Sequence, residues 1–173
     1  MSLIVEDGTG LAGAESYISV ANADTYHANR GNTLWATMTV TEREQALRRS
    51  ADYFLQAYRG GWKGNRLTTT QALDWPRAWV QLDDVAYANY AYFIPNNTVP
   101  VTVANAQAEM AFAAASGELN PSQSRGILKE IIGPLTTEYD PYSPENIRYP
   151  KVDTMLKPYL TNGGGACFKL MRS

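Results

Sequence analysis

PVTVANAQAEMAFAAAS, residues 100–116, is the stretch of sequence that decides the fold. Pro100 favours the start of a helix. Proline has no amide hydrogen, but an amide in the first turn has no partner within the helix, so no hydrogen bond is lost there. One face of the predicted helix is apolar and carries Val101, Ala104, Ala108, Ala111, Phe112 and Ala115. A second face is also apolar and carries Val103, Ala106, Met110 and Ala114. A helix that is apolar on most sides is buried on most sides, so the pattern predicts a central helix or one wedged between subunits, and we assign the second face to a subunit interface.

Three further helices are predicted on either side of this stretch. The clearest covers about 42–58, where 41–44 has the form of a capping box. Its apolar stripe follows helical spacing and consists of Leu47, Ala51, Phe54, Leu55 and Tyr58. Shorter helices are expected over 20–29 and 151–160, whereas 62–99 is expected to be irregular chain.

Outside the helices, the sequence predicts a hairpin and two arms. GILKEIIGPLTTEY, residues 126–139, is rich in β-forming residues on both sides of a Gly-Pro pair. Residues 1–18 are expected to form an N-terminal arm, and 163–173 a glycine hinge with a C-terminal arm, around a domain over 19–162. The predicted fold class is therefore mainly α: a small helical-bundle domain with a short β-hairpin and extended N- and C-terminal arms.

Composition and charge restrict the class of protein. The chain has 173 residues, of which 45% are hydrophobic, as is ordinary for one globular domain. Its formal net charge is -2 and its pI about 5.4, whereas proteins that coat nucleic acid are usually basic. No run approaches the roughly 18 apolar residues needed to cross a bilayer. The first residues lack the features of a signal peptide, so we expect a cytoplasmic product without a membrane partner.

Enzymatic chemistry is not expected from this sequence. Cys167 and His27 are its single cysteine and histidine, and a catalytic dyad would place the nucleophile behind three glycines, where geometry is poorly held. One cysteine and one histidine also cannot complete a structural zinc site. NGGGAC, residues 162–167, lacks the Lys-Ser/Thr pair of a phosphate-binding loop. We predict a non-enzymatic protein with no catalytic site, no cofactor and no metal.

One segment has the composition of a site for single-stranded nucleic acid. YFLQAYRGGWKGNR, residues 53–66, interleaves the aromatic residues Tyr53, Tyr58 and Trp62 with the basic residues Arg59, Lys63 and Arg66. Bases stack on aromatic rings of this kind, and cations neutralise the phosphates. The helical period nevertheless assigns Tyr58 to the core. The alternative is therefore a buried aromatic cluster with solvated charges.

The last residues have the pattern of a short strand behind a glycine hinge. They mix apolar and basic side chains in the order Cys167, Phe168, Lys169, Leu170, Met171 and Arg172. Phe168 and Leu170 alternate with their neighbours as the two faces of a strand do. An arm of this kind can add a strand to the exposed sheet edge of a partner, so we assign these six residues to a partner contact.

Several blocks of the sequence resemble one family of small tailed-bacteriophage proteins. They are MSLIVEDGTGLAGAESYISVANADTYHANRGN (1–32), WPRAW (75–79), and the final helix with its GGG and basic-apolar tail. Proteins of this family are commonly labelled DnaT-like single-stranded DNA-binding. The resemblance spans essentially the whole chain.

A second resemblance implies a different function. KEIIGPLTTEY, residues 129–139, follows an alanine-rich helix and precedes a short closing helix, and is similar to the corresponding segment of phage head–tail connector (adaptor) proteins. That similarity implies a ring, typically of twelve copies, beneath the portal in the neck of the virion. Its partners would be the portal protein, neighbouring adaptor subunits, tail or nozzle proteins, and double-stranded DNA that passes through the channel without sequence-specific binding.

We expect the adaptor function, because a duplex must slide through the channel and a mildly acidic wall suits sliding better than a basic one. The hairpin would line the channel or meet the tail through Lys129, Glu130, Ile131, Ile132, Gly133, Pro134 and Leu135. The C-terminal residues would contact the portal. The alternative is a single-stranded DNA-binding phage replication protein, and a third possibility is an assembly chaperone absent from the mature virion.

Overall fold

The computed structural model describes residues 2–87, 90–120, 129–132, 135–138 and 149–161. Its helices there are α1 (Val20–Ala28), α2 (Thr33–Thr37), α3 (Val40–Ala57), α4 (Val101–Ser116) and α5 (Pro150–Leu156), followed by a 3-10 helix over Lys157–Tyr159. The strands in the same ranges form three antiparallel pairs: β1 (Asn65–Arg66) with β2 (Arg77–Ala78), β3 (Gln81–Tyr87) with β4 (Tyr90–Phe93), and β5 (Lys129–Ile132) with β6 (Leu135–Glu138). The predicted class, a mainly α domain with a short β-hairpin, is confirmed. In the described part of the chain, no helix is long and apolar enough to cross a membrane.

Helix α4 forms the centre of the domain. Its main neighbour is α3, and α5 and α1 also contact it. The side chains assigned to a subunit interface, Val103, Ala106, Met110 and Ala114, are at most 1% exposed within the chain itself. The assignment to an interface is wrong, because the chain's own core already covers this face. Val101 on the other face, the first residue of the helix, is exposed.

Helix α3 begins two residues before its predicted start. The sequence contains two overlapping matches to the capping-box pattern, and the earlier one forms. Thr39 Oγ1 accepts a hydrogen bond from the Glu42 amide at 3.3 Å, and the Thr39 amide donates to the Glu42 carboxylate at 2.7 Å. The later match, 41–44, therefore lies inside the helix. Buried side chains of α3 follow the predicted apolar stripe and include Leu47, Ala51 and Phe54.

Residues 62–99, expected to be irregular, contain four of the six described strands. β1 and β2 are two residues long each, and the pairing of β3 with β4 shifts register between Leu82 and Ala86. Strands that are so short or interrupted leave no run of alternating residues, so the sequence carries no period-2 signal for them. The predicted hairpin within 126–139 is present, with Ile132 paired to Leu135.

A buried side-chain amide joins three parts of the chain. Gln107 of α4 is fully buried, and its Nε2 donates to the Leu47 carbonyl of α3 at 3.0 Å. Its Oε1 accepts from the Tyr17 amide at 2.6 Å and from Ser16 Oγ at 3.1 Å. Buried polar groups are costly when unpaired, so these bonds hold residues 16–17 against the α3–α4 pair.

The N-terminal segment folds back on itself and packs on the domain. Its two limbs meet where the Glu6 amide donates to the Ser16 carbonyl at 2.8 Å. The buried Glu6 carboxylate closes the turn between them by accepting hydrogen bonds from the amides of Gly8, Gly10 and Leu11. Gly8 is required there, because a Cβ on it would lie 2.1 Å from a backbone oxygen of the neighbouring loop. The segment expected as an extended arm is thus part of the folded domain.

We predict that Gln107→Leu destabilises the fold, because it leaves buried backbone groups on two segments without a partner. The expected loss is roughly 2–4 kcal/mol in the free energy of unfolding. Chemical denaturation of both proteins measures it. Gln45→Leu on the exposed side of α3 is the matched control and should change stability by less than about 0.5 kcal/mol. Equal midpoints for the two variants would contradict the role of Gln107.

The single histidine is a core residue with both ring nitrogens engaged. His27 is 1% exposed, and the centroid of its ring lies 4.5 Å from that of the Trp35 ring. Nε2 is 3.2 Å from the Ala108 carbonyl, and Nδ1 is 2.9 Å from the side-chain amide of Asn32. Burial lowers the pKa of His27, and the nearby Glu109 carboxylate only partly offsets this effect. The neutral imidazole is therefore the form that the fold favours.

We predict that acidification weakens the fold through His27. The folded-state pKa lies below the unfolded value of about 6.5, so the unfolded chain gains the proton first. The contribution of neutral His27 to the free energy of unfolding should be fully present above that pH. It should fall as the pH drops below it, by at most about 1.4 kcal/mol per pH unit. Denaturant titrations between pH 7.5 and 5.5, about one unit either side of the unfolded pKa, measure the slope. His27→Gln should abolish it, and an unchanged slope in that variant would exclude His27 as the cause.

Candidate nucleic-acid interface

The aromatic residues of 53–66 do not form the predicted stacking surface. Tyr58 and Trp62 are buried in the core. Tyr53 is half-buried, with its ring edge-on to that of Tyr149 at 5.4 Å between centroids. The alternative of a buried aromatic cluster is therefore the correct one for these three side chains.

Two other aromatic residues form an exposed pair, which we call the aromatic platform: Trp79 and Phe93. Trp79 is 73% exposed and Phe93 is 45% exposed. Their ring centroids are 6.2 Å apart at an interplanar angle of 85°. An edge-to-face pair of this kind leaves much of each ring accessible to solvent. The platform lies where β2 ends and the β3–β4 pair begins.

The backbone of Trp79 is in an unusual conformation. Its φ is +63°, and it is the only residue other than glycine with positive φ in the described part of the chain. This region is disfavoured for a bulky side chain by about 1–2 kcal/mol. In a regular strand Trp79 would share a face with the buried Trp75 and Arg77. With Trp79 in the left-handed conformation, its indole instead lies outside while Val80 is buried.

A buried guanidinium, that of Arg77, and the close-packed Gly64 contact the backbone around Trp79. Arg77 donates to the Lys63 carbonyl from Nε at 2.8 Å, to the Gly64 carbonyl from Nη2 at 2.7 Å, and to the Asp74 carbonyl from Nη1 at 3.1 Å. Gly64 has φ +65°, and a Cβ on it would lie 2.2 Å from the Ala78 oxygen. The backbone of Ala78, next to Trp79, is therefore packed directly against Gly64.

Two of the predicted cations, Lys63 and Arg66, lie on the segment that contacts β2 and β3. Lys63 precedes Gly64, and its Nζ contacts Asp83 at 2.6 Å and the Gln81 carbonyl at 3.4 Å. Arg66 is exposed on β1, where it pairs in the ladder with Arg77. The third predicted cation, Arg59, instead bonds the buried Asp74 carboxylate at 2.9 Å. Lys63 thus contacts β3, the strand that pairs with Phe93, and both cations already have partners within the chain.

Many other cations of the described residues are paired within the chain. Arg43 contacts Asp24, Arg48 contacts Glu15 and Glu44, and Lys151 contacts Glu109. For Glu109, burial alone would raise the pKa, but hydrogen bonds from Lys151 and Tyr26 outweigh it and leave the pKa below its ordinary value. Within the described ranges these pairs interrupt any continuous basic groove.

The remaining predicted sites are only partly covered by the structure. Strand residues 129–132 and Leu135 belong to the β5–β6 hairpin, whereas Gly133 and Pro134 lie outside the described residues. Residues 167–172, the predicted partner contact, also lie outside them. His27 is bound on both ring nitrogens as above. Among the described residues, no group of three or more His, Cys, Asp or Glu is placed to hold a metal ion.

The comparison with known families follows the resemblance in the sequence. A family model described as "Putative DnaT-like ssDNA binding protein" matches residues 1–173. The chain belongs to this family. No curated protein and no solved structure matches it. The family description agrees with the alternative function, single-stranded DNA binding, and does not speak to a head–tail adaptor.

Trp79 and Phe93 are the residues that the sequence did not single out. The family block WPRAW (75–79) contains Trp79, but a regular alternation would bury it with Trp75. A left-handed conformation can be expected from the sequence at a glycine, but nothing in the sequence indicates it at a tryptophan. A functional assignment for this block therefore depends on the structure.

Proposed function

We propose that this protein binds single-stranded DNA through the aromatic platform. The observation that carries the proposal is the exposed, left-handed Trp79 packed edge-on against the exposed Phe93. Strained residues that persist in a fold cluster at functional sites. An exposed tryptophan face stacks on any base without reading its identity, which agrees with the description of the family.

Stacking, rather than charge, supplies most of the expected affinity. Base–aromatic stacking contributes about 1–3 kcal/mol per base. If Lys63 and Arg66 each neutralise one phosphate, the log–log salt slope should be about -1.4. Nonspecific binding of this strength corresponds to a Kd of about 1–100 μM at physiological salt. The site suits transient contact with a few nucleotides.

Trp79→Ala should weaken binding of a labelled oligonucleotide by about 5- to 150-fold, because one stacking face is lost. Fluorescence anisotropy at two salt concentrations measures both the affinity and the slope. Trp79→Phe should retain most of the affinity. Val101→Ala, which removes an equally exposed apolar side chain on α4, is the matched control and should leave binding unchanged.

Two results would oppose this function. A flat titration of the wild-type chain would remove single-stranded DNA binding altogether. Equal losses in Trp79→Ala and Val101→Ala would place any binding elsewhere on the surface.

A second candidate is the head–tail adaptor of a tailed phage, and the internal pairing of cations favours it. With Arg43, Arg48, Arg59 and Lys151 all held by carboxylates and a net charge of -2, much of the surface offers little to attract a duplex. A channel wall needs that property, because DNA must slide along it. The proposed partners are the portal protein, neighbouring subunits of a ring, and tail or nozzle proteins.

The adaptor function predicts attachment to capsids that carry the portal. We expect the full chain to cosediment with them and a chain lacking residues 163–173 to lose attachment. Phe168→Ala with Leu170→Ala should cause a similar loss, because these side chains form the apolar face of the predicted arm. Trp79→Ala is the control that separates the two candidates and should attach normally. Normal attachment of the truncated chain would sink the arm hypothesis.

A further inference from the structure

The conformation of Trp79 is fixed by anchors on both sides of it. Before it, Ala78 pairs with Asn65 in the β1–β2 ladder. After it, the side chain of Val80 is fully buried and its carbonyl accepts a hydrogen bond from the Ile94 amide at 3.0 Å. The single residue between them must turn the chain so that Val80 enters the core. Its own side chain is thereby directed to solvent.

The segment 63–64 is the support against which this turn is made. Arg77 is 6% exposed and binds the carbonyls of Lys63 and Gly64 together with that of Asp74. A Cβ on Gly64 would lie 2.2 Å from the Ala78 oxygen and 3.0 Å from the Trp79 carbonyl carbon. Backbone atoms cannot give way as a flexible side chain can. Gly64 is therefore needed for 78–80 to lie where it does.

We infer that Arg77 and Gly64 are positioning residues that hold Trp79 in its exposed, left-handed conformation and thereby set the strength of DNA binding without touching DNA. This inference rests on the proposed function. A side chain already fixed in its binding conformation loses little freedom when a base stacks on it, and the affinity rises accordingly. The Arg77 guanidinium is buried and donates to three backbone carbonyls, so its charge is directed at carbonyl groups and not at phosphates.

A double-mutant cycle tests the inference with a labelled oligonucleotide. Gly64→Ala should weaken binding about fivefold or more in the chain that carries Trp79, because the clash displaces 78–80. The same change should have no further effect in the Trp79→Ala background. A lysine at position 77 can bind fewer carbonyls than the guanidinium does. Arg77→Lys should therefore lower the affinity for DNA by less, and only in the chain that carries Trp79. It serves as the second variant where Gly64→Ala does not fold.

Tryptophan emission gives an independent readout. Trp35, Trp62 and Trp75 are buried, so quenching by acrylamide reports mainly on Trp79. Gly64→Ala and Arg77→Lys should change the quenching constant of the free protein, whereas Val101→Ala should not.

The outcomes are distinct. In one outcome the wild type binds and Trp79→Ala weakens binding, but Gly64→Ala lowers the affinity equally with and without Trp79. That outcome would overturn the positioning role alone. Wild-type affinity and quenching in both positioning variants would overturn it as well. Absence of binding by the wild type would overturn the proposed function and this inference together.

Discussion

The side-chain amide of Gln107 fixes the arrangement on which the rest of the fold depends. It lies in the centre of α4 and satisfies the Leu47 carbonyl of α3 and the Tyr17 amide of the N-terminal segment at the same time. Because all three groups are buried, none can exchange its partner for water without a cost of about 1–3 kcal/mol. The apolar surface of α4 alone would accept several packings of small side chains. The hydrogen bonds of the Gln107 amide can form in only one of these packings.

The same interaction reaches the surface through a series of polar contacts. With the Tyr17 backbone fixed, its hydroxyl accepts a hydrogen bond from the Asp74 amide at 2.9 Å. The Asp74 carboxylate holds Trp62, and the Asp74 carbonyl accepts from Arg77. Arg77 in turn holds the backbone beneath Trp79. An exposed aromatic side chain thus takes its position from a core amide, which explains how a strained conformation can persist on a domain of this size.

The predictable part of the fold is the part whose signal is local. α3 and α4 follow a 3.6-residue period over four or more turns, so their buried faces could be read from the sequence. The start of α3 could not, since two overlapping capping patterns compete and the sequence does not show which of them forms. The interface assigned to Val103 and Met110 failed because periodicity shows that a face is buried but not what covers it. Trp79 was missed because its exposure comes from a single residue in the left-handed conformation, which no sequence pattern marks.

The ion pairs limit the kind of DNA contact that the proposed site can make. A protein that coats single strands gains affinity by releasing counterions along many phosphates, and its cations must be free to do so. Here Arg59 is committed to Asp74 and Lys63 shares its charge with Asp83. Stacking does not depend on net charge, so an acidic chain is compatible with the proposed stacking of a base on Trp79. Local, stacking-based contact is therefore the mode of binding that the sequence charge and the platform permit together.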